Sequence, residues 1–278
     1  MLETVLNPGP IPARLPARPG DCPKGDFGAV GVLGGAPGMA GAALLAGRAA
    51  LACGAGRVYL GLLDERIAVD PATPELMIGA PGSMLALPHP ACLVAGPGMG
   101  HAASAREWLE ATLPLEHALL LDADALNLIA GDEALLARVR ARPAATLITP
   151  HPGEAARLLG ASTAAIQADR IQAADRLARL TGATVVLKGA GTLVCHPGGE
   201  SWRNTTGNPG MAAPGMGDVL SGIIAALLVQ GMTAEQAAMT GVWLHGAAAD
   251  AAVAAGAGPA GLMASEVILA ARRLLNRA

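Results

Sequence analysis

Asn208-Pro209-Gly210-Met211-Ala212-Ala213-Pro214-Gly215-Met216-Gly217-Asp218 runs directly into the apolar stretch Val219 to Val229. A glycine-rich turn at a helix start presents unpaired N–H groups and the positive end of the helix dipole, which together hold phosphate oxygens. Asp218 stands beside that position. A carboxylate there takes the proton of an attacking hydroxyl while the N–H groups steady charge on a transferring phosphoryl group. A plainer role is helix capping, because an acid in a first turn is favoured by the dipole alone. The same dipole is expected to lower the basicity of Asp218.

Upstream of this turn, short apolar runs alternate with longer Ala/Leu-rich segments, the pattern of parallel strands joined by crossover helices. Predicted strands are Ala29 to Leu33, Arg57 to Leu62, Ala91 to Ala95, Ala118 to Leu121, Ala145 to Thr149, Thr184 to Lys188 and Thr192 to Cys195. Most are apolar throughout, as strands buried on both faces are. Predicted helices are Gly41 to Cys53, Ser104 to Thr112, Asp132 to Ala141, Gly153 to Leu159 and Ala164 to Leu180. After the last strand come Gly217 to Val229, Ala234 to Ala254 and Ala264 to Asn276. No linker or repeat divides the chain, so residues 24–278 read as one domain preceded by an extended, proline-rich arm, 1–23.

Composition narrows the function classes. Hydrophobic residues are 52% and charged residues 15% of the chain, which excludes disorder. Glycine and proline interrupt the longest uncharged stretch, 27–47, and the run Val219 to Val229 is too short to span a bilayer. The net charge of -3 offers no polycationic surface for nucleic acid. Cys22, Cys53, Cys92 and Cys195 form no C-x-x-C pair, which argues against zinc and, with no export signal, for a reducing cytosol.

Gly/Pro clusters fall at the carboxyl ends of the predicted strands, where open parallel sheets bind ligands. Gly34-Gly35-Ala36-Pro37-Gly38 does not fit the dinucleotide fingerprint G-x-G-x-x-G. Lys188-Gly189-Ala190-Gly191-Thr192 offers a cation and flexible backbone to a diphosphate, or is simply a solvated strand end. Asp122 and Asp124 suit a ribose hydroxyl, an amide or hydrated Mg²⁺; an N-cap role accounts for one of them but hardly both. His151 lies between two prolines, which aim its ring at the cleft, and Glu154 reads as a first-turn helix charge. The other histidines, His245 among them, read as structural or surface residues.

Together these blocks resemble the dehydratase domain of the NAD(P)H-hydrate repair family. The matching segments, in order, are Lys24 to Gly28, Gly34 to Gly41, Gly54 to Gly56, Gly96 to Gly100, Asp122 to Leu126, Thr149 to Glu154, Lys188 to Thr192 and Asn208 to Gly222. The resemblance implies an α/β, ribokinase-like fold with a central, mostly parallel sheet flanked by helices in three α/β/α layers. It implies ADP-dependent dehydration of the S form of hydrated NADH or NADPH (NADHX, NADPHX), by phosphorylation of the ring hydroxyl and loss of phosphate. Asp218 would activate that hydroxyl; Ala42, Gly100 and His151 would contact the hydrated dinucleotide. Lys188, Gly189, Ala190, Gly191, Thr192 and Gly217 would hold ADP, or ATP in its place. Mg²⁺ is expected with the nucleotide, Glu154 being the one candidate ligand. An epimerase on a separate chain and a homo-oligomer, a tetramer in relatives, are further implications. The chain departs from the family pattern at Ala213, Pro214 and Met216, which predicts weaker phosphate binding. Alternatives are a related small-molecule kinase, such as a hydroxyethylthiazole kinase, and a non-catalytic nucleotide-binding regulator.

Overall fold

The computed structural model describes residues 3–6, 13, 15, 18, 20–88 and 91–276. His89 and the arm's Pro8, Pro10, Pro12, Pro16 and Pro19 lie outside the described residues. The strands are β1 (Glu3–Leu6), β2 (Ala29–Gly34), β3 (Arg57–Leu62), β4 (Met77–Gly79), β5 (Cys92–Ala95), β6 (Ala118–Leu121), β7 (Thr146–Ile148), β8 (Thr184–Leu187), β9 (Leu193–Cys195) and β10 (Ser201–Asn204). They form one sheet in the order β1-β10-β9-β8-β7-β6-β5-β2-β3-β4. Only β9 runs antiparallel, against both β8 and β10; every other pairing is parallel.

All seven strands predicted from apolar runs are present within a residue or so at each end. The three unpredicted ones, β1, β4 and β10, sit at or near the sheet edges, where burial does not demand a continuous apolar run. Through β1 the beginning of the arm pairs with β10 and extends the sheet.

Alternate side chains along each strand face opposite sides of the sheet, and each side carries its own core. One side, with Val30, Val58, Val94, Leu120, Val186 and Val194, packs on α1 (Ala40–Ala52), α9 (Met216–Val229), α10 (Ala234–Ala254) and α11 (Ala264–Leu275). The other, with Leu33, Leu93, Leu119, Leu121, Val185 and Leu187, packs on α3 (Ala103–Thr112), α4 (Ala123–Ile129), α5 (Glu133–Arg140), α6 (Pro152–Leu159) and the pair α7 (Thr163–Ala168) and α8 (Arg170–Thr181). α2 (Pro81–Leu85) is a single short turn against β3. The result is three α/β/α layers.

One predicted helix is divided. Ala164 to Leu180 is two helices because Asp169 leaves helical geometry (φ -142, ψ 81) and its carboxylate accepts from Gln172 N, starting α8 afresh. No helix among the described residues is long and apolar enough to cross a membrane.

Candidate active site

From β2 the chain moves outward through β3 and β4, then returns to the opposite side of β2 for β5 and proceeds through β6, β7 and β8. The crossover connections therefore diverge between β2 and β5, the switch point at whose carboxyl ends open α/β sheets bind ligands. Two loops line it and are stitched together: Gly35 N donates to Pro97 O at 2.9 Å and Ala36 N to Gly98 O at 2.7 Å. Gly98 is left-handed (φ 57), and a Cβ there would strike the Met39 carbonyl and stand 3.1 Å from Ala42 Cβ. Glycine is thus what brings the two loops into contact and sets Ala42 at the switch point. Beside it, Gly100 N donates to Asp124 Oδ2 at 2.8 Å, and His101 Nε2 lies 3.3 Å from Asp124 Oδ1.

Opposite these loops stands the start of α9. Gly215 (φ 85) is its N-cap, and no side chain caps the helix, so the first-turn N–H groups are available to an anion. Pro214 precedes the cap, and its missing N–H removes none of those first-turn donors. Met216 is buried in the core beneath the turn, so this departure from the family pattern anchors the helix start.

Asp218 is half-buried in that first turn. Its carboxyl is pushed up to about 7, first by burial, then by the charge of Asp122, with Asp124 and Glu154 adding and Lys188 opposing. The expectation of depressed basicity is therefore corrected. Burial and neighbouring carboxylates outweigh the dipole, leaving a carboxylate with basicity suited to neutral pH.

The lysine-bearing turn lies directly against this helix start. Lys188 Nζ donates to Asp122 Oδ1 at 2.6 Å, lies 3.9 Å from Glu154 Oε2, and would be 3.2 Å from a Cβ on Gly217. Burial disfavours its charge, but Asp122, Glu154 and Asp218 together hold its pKa above the ordinary value. Asp122 is buried and also accepts from Ser221 Oγ at 2.8 Å and Ala123 N at 2.9 Å. Both aspartates of the 122–124 pair thus have defined partners: Asp122 caps α4 and holds the lysine, while Asp124 holds the Gly100 loop. Between them Ala123 is the one non-glycine with positive φ (47) among the described residues, a strained conformation of the kind that concentrates at functional sites.

His151 is the N-cap of α6. Its Nδ1 accepts from Gly153 N at 2.9 Å and Glu154 N at 3.3 Å, so the proton resides on Nε2, 3.2 Å from Glu154 Oε1. Burial, then Lys188 and Arg157, push its pKa down, which keeps the ring neutral. Glu154 completes a capping box by accepting from His151 N at 2.7 Å; its carboxyl is raised, chiefly by burial. Among the described residues no three His, Cys, Asp or Glu side chains are grouped to hold an ion. A protein-only cage for Mg²⁺ does not fit; an ion carried by nucleotide phosphates needs only one or two carboxylates beside it.

Sequence reasoning did not single out Ser221, which holds Asp122, and His245, read as structural or surface, is buried. Ser221 follows Asp218 at i+3 in an otherwise apolar helix, a spacing that puts both on one face. His245 Nε2 is buried without a hydrogen-bond partner among the described residues, and burial and Lys188 push the ring down to about 4. Nothing in its sequence context pointed to the lysine.

A three-layer sheet whose switch point faces an uncapped helix start, an acid and a strand-end lysine is a ribokinase-like architecture, the class built for phosphoryl transfer. Comparison with known proteins narrows it. The sequence pattern of the NAD(P)H-hydrate dehydratase family matches residues 30–269, and the chain belongs to that family. It is 44% identical over 283 residues to the ADP-dependent (S)-NAD(P)H-hydrate dehydratase of Neisseria meningitidis serogroup B, covering all of this chain and 94% of that protein. It is 43% identical over 259 residues to the bifunctional NAD(P)H-hydrate repair enzyme of Escherichia coli, covering 91% of this chain and 48% of that one. The chain therefore spans about half the length of the bifunctional relative. The crystal structure of the ADP/ATP-dependent NAD(P)H-hydrate dehydratase of Bacillus subtilis, co-crystallised with ATP/Mg²⁺, superposes with a TM-score of 0.85 at 28% identity, covering 99% of this chain and 98% of the other.

Proposed function

We propose that this chain is an ADP-dependent dehydratase that returns the S form of hydrated NADH and NADPH to NADH and NADPH. The observation that carries the reading is the Asp218 carboxyl, its pKa raised to about 7, at an uncapped helix start against the Lys188–Asp122 pair. Asp218 accepts the proton of the ring hydroxyl as that oxygen bonds to the β-phosphorus of ADP and AMP departs. The first-turn N–H groups of α9, with Gly217 at their centre, steady the charge on the transferring group. The C6–O bond then breaks: the ring nitrogen lone pair expels phosphate, and a proton leaves the adjacent ring carbon. Phosphate leaves far more readily than hydroxide, which is why a phosphoryl donor serves a dehydration. Ala42, Gly100 and His151 contact the hydrated dinucleotide, and Lys188, Gly189, Ala190, Gly191 and Thr192 hold the nucleotide phosphates. Mg²⁺ carried by those phosphates would supply charge neutralisation there, with Glu154 the candidate carboxylate beside it.

The decisive assay incubates purified protein and Mg²⁺ with each pairing of ADP or ATP and S-NADHX or S-NADPHX, following the absorbance of the reduced nicotinamide. Recovery with ADP is expected; no recovery in any pairing rejects the reading and leaves the kinase and regulator alternatives. The R hydrates are expected to stay unconverted until a separate epimerase is added. A cytosolic location and a homotetramer complete the proposal. Sedimentation tests the assembly.

A further inference from the structure

The turn from Lys188 to Thr192 is braced from beneath by Arg170, the first residue of α8. Arg170 Nη2 donates to Leu187 O at 3.0 Å, Lys188 O at 3.3 Å and Gly191 O at 3.4 Å, and Nη1 to Gln167 Oε1 at 3.2 Å. A third carbonyl of the turn, Gly189 O, accepts from Thr192 Oγ1 at 2.9 Å. In a planar trans peptide the carbonyl and the following N–H point in opposite directions. Drawing the Lys188 and Gly191 carbonyls onto the guanidinium therefore turns the Gly189 and Thr192 N–H groups away from it. Glycine is needed at 189, where φ is 133 and a Cβ would stand 2.7 Å from Arg170 Nη1. The outcome is two amides, those of Gly189 and Thr192, turned away from the guanidinium and available to an anion.

Charge points the same way. Among the described residues no carboxylate pairs with Arg170, and its Nε is buried without a partner. A second guanidinium, Arg203, reaches within 3.0 Å of a Cβ placed on Gly191, and with burial it holds the Arg170 pKa below the ordinary value. A half-buried cation with no counter-charge, beside another cation, is costly unless an anion arrives.

We propose that Arg170 is a positioning residue for the phosphates of the adenine nucleotide: it aims the amides of the 188–192 turn and supplies charge behind them without touching the ligand. This rests on the reading that the turn holds nucleotide phosphates, and the test separates the two. Binding of ADP and of adenosine is measured by calorimetry on wild type, Arg170→Met and Arg170→Lys, with circular dichroism melting as the check on folding. The expected result is an ADP Kd raised about tenfold in Arg170→Met, equivalent to about 1.4 kcal/mol, with the adenosine Kd within twofold. Arg170→Lys restores only part of the loss, since an ammonium cannot reproduce the planar fork on three carbonyls. Equal weakening of ADP and adenosine would reduce Arg170 to a structural brace, and an unchanged ADP Kd in Arg170→Met, or full restoration by lysine, also overturns the positioning role. Should Arg170→Met not fold, the ADP-to-adenosine comparison in Arg170→Lys decides alone. Wild type that binds no ADP brings down the functional reading and this inference together; wild type that binds ADP while Arg170→Met matches it removes this inference only.

Discussion

The raised pKa of Asp218 makes a kinetic prediction with a definite sign. A base with a pKa of about 7 is about one-tenth ionised at pH 6 and about nine-tenths at pH 8. The single-turnover rate at saturating ADP and hydrate should therefore climb nearly tenfold per pH unit below 7 and level off above it. With the ordinary value of 3.8 the rate would be flat from pH 5.5 to 8.5. The terminal phosphate of a nucleotide also titrates at about 6, so the wild-type profile alone is ambiguous, and the Asp122→Asn variant resolves it. Asp122→Asn removes a charge that raises the Asp218 pKa and leaves unopposed the Lys188 charge that lowers it, so the midpoint moves to lower pH. Lys188→Met moves it to higher pH. Lys188 also faces the nucleotide phosphates and its removal would move their titration as well, so the Asp122→Asn shift is the one that discriminates. The same shift affects stability. The folded-state pKa lies above the unfolded one, so protonated Asp218 favours the fold, an advantage complete below pH 3.8 and lost as pH rises through 7. At about 1.4 kcal/mol per pH unit, the gap sets an upper bound of roughly 4 kcal/mol by which Asp218→Asn stabilises the protein above pH 7. A flat wild-type rate profile, or a midpoint unmoved by Asp122→Asn, would refute the reasoning.

Other outcomes follow from the geometry. Lys188→Met leaves Asp122 buried without its cation and should cost about 3–5 kcal/mol in denaturant unfolding; pairing it with Asp122→Asn should recover most of that, and a strictly additive double mutant would argue against the ion pair. Gly222→Ala drives a Cβ into the Ala46 carbonyl, where α9 packs on α1, so a loss of about 1–3 kcal/mol is expected by thermal melting, against near-neutrality were the helices free to part. His151→Ala removes the cap of α6, a loss of about 0.5–2 kcal/mol, and should raise the hydrate KM while leaving the ADP KM unchanged.

Much of the architecture was legible because it follows from local rules. A strand buried on both faces has to be apolar throughout, so β2, β3 and β5 to β9 announced themselves. β4 is a three-residue edge strand and β10, one strand in from the other edge, reads Ser-Trp-Arg-Asn, so neither offered an apolar run to recognise. Asp169 reads as any polar helix residue until its backbone geometry shows a helix ending and another beginning. The glycine clusters marked the strand ends, and the Gly-Met-Gly-Asp turn marked the helix start, because those conformations depend on the residues themselves. The sequence alone therefore determined a parallel α/β sheet, its ligand-binding edge and an acid at the start of an apolar helix. Tertiary structure alone decided how basic that acid is. Burial and the charges of Asp122, Glu154 and Lys188, 30 to 96 residues distant along the chain from Asp218, act through space, and no local pattern encodes a distance between residues that meet only when the sheet is assembled.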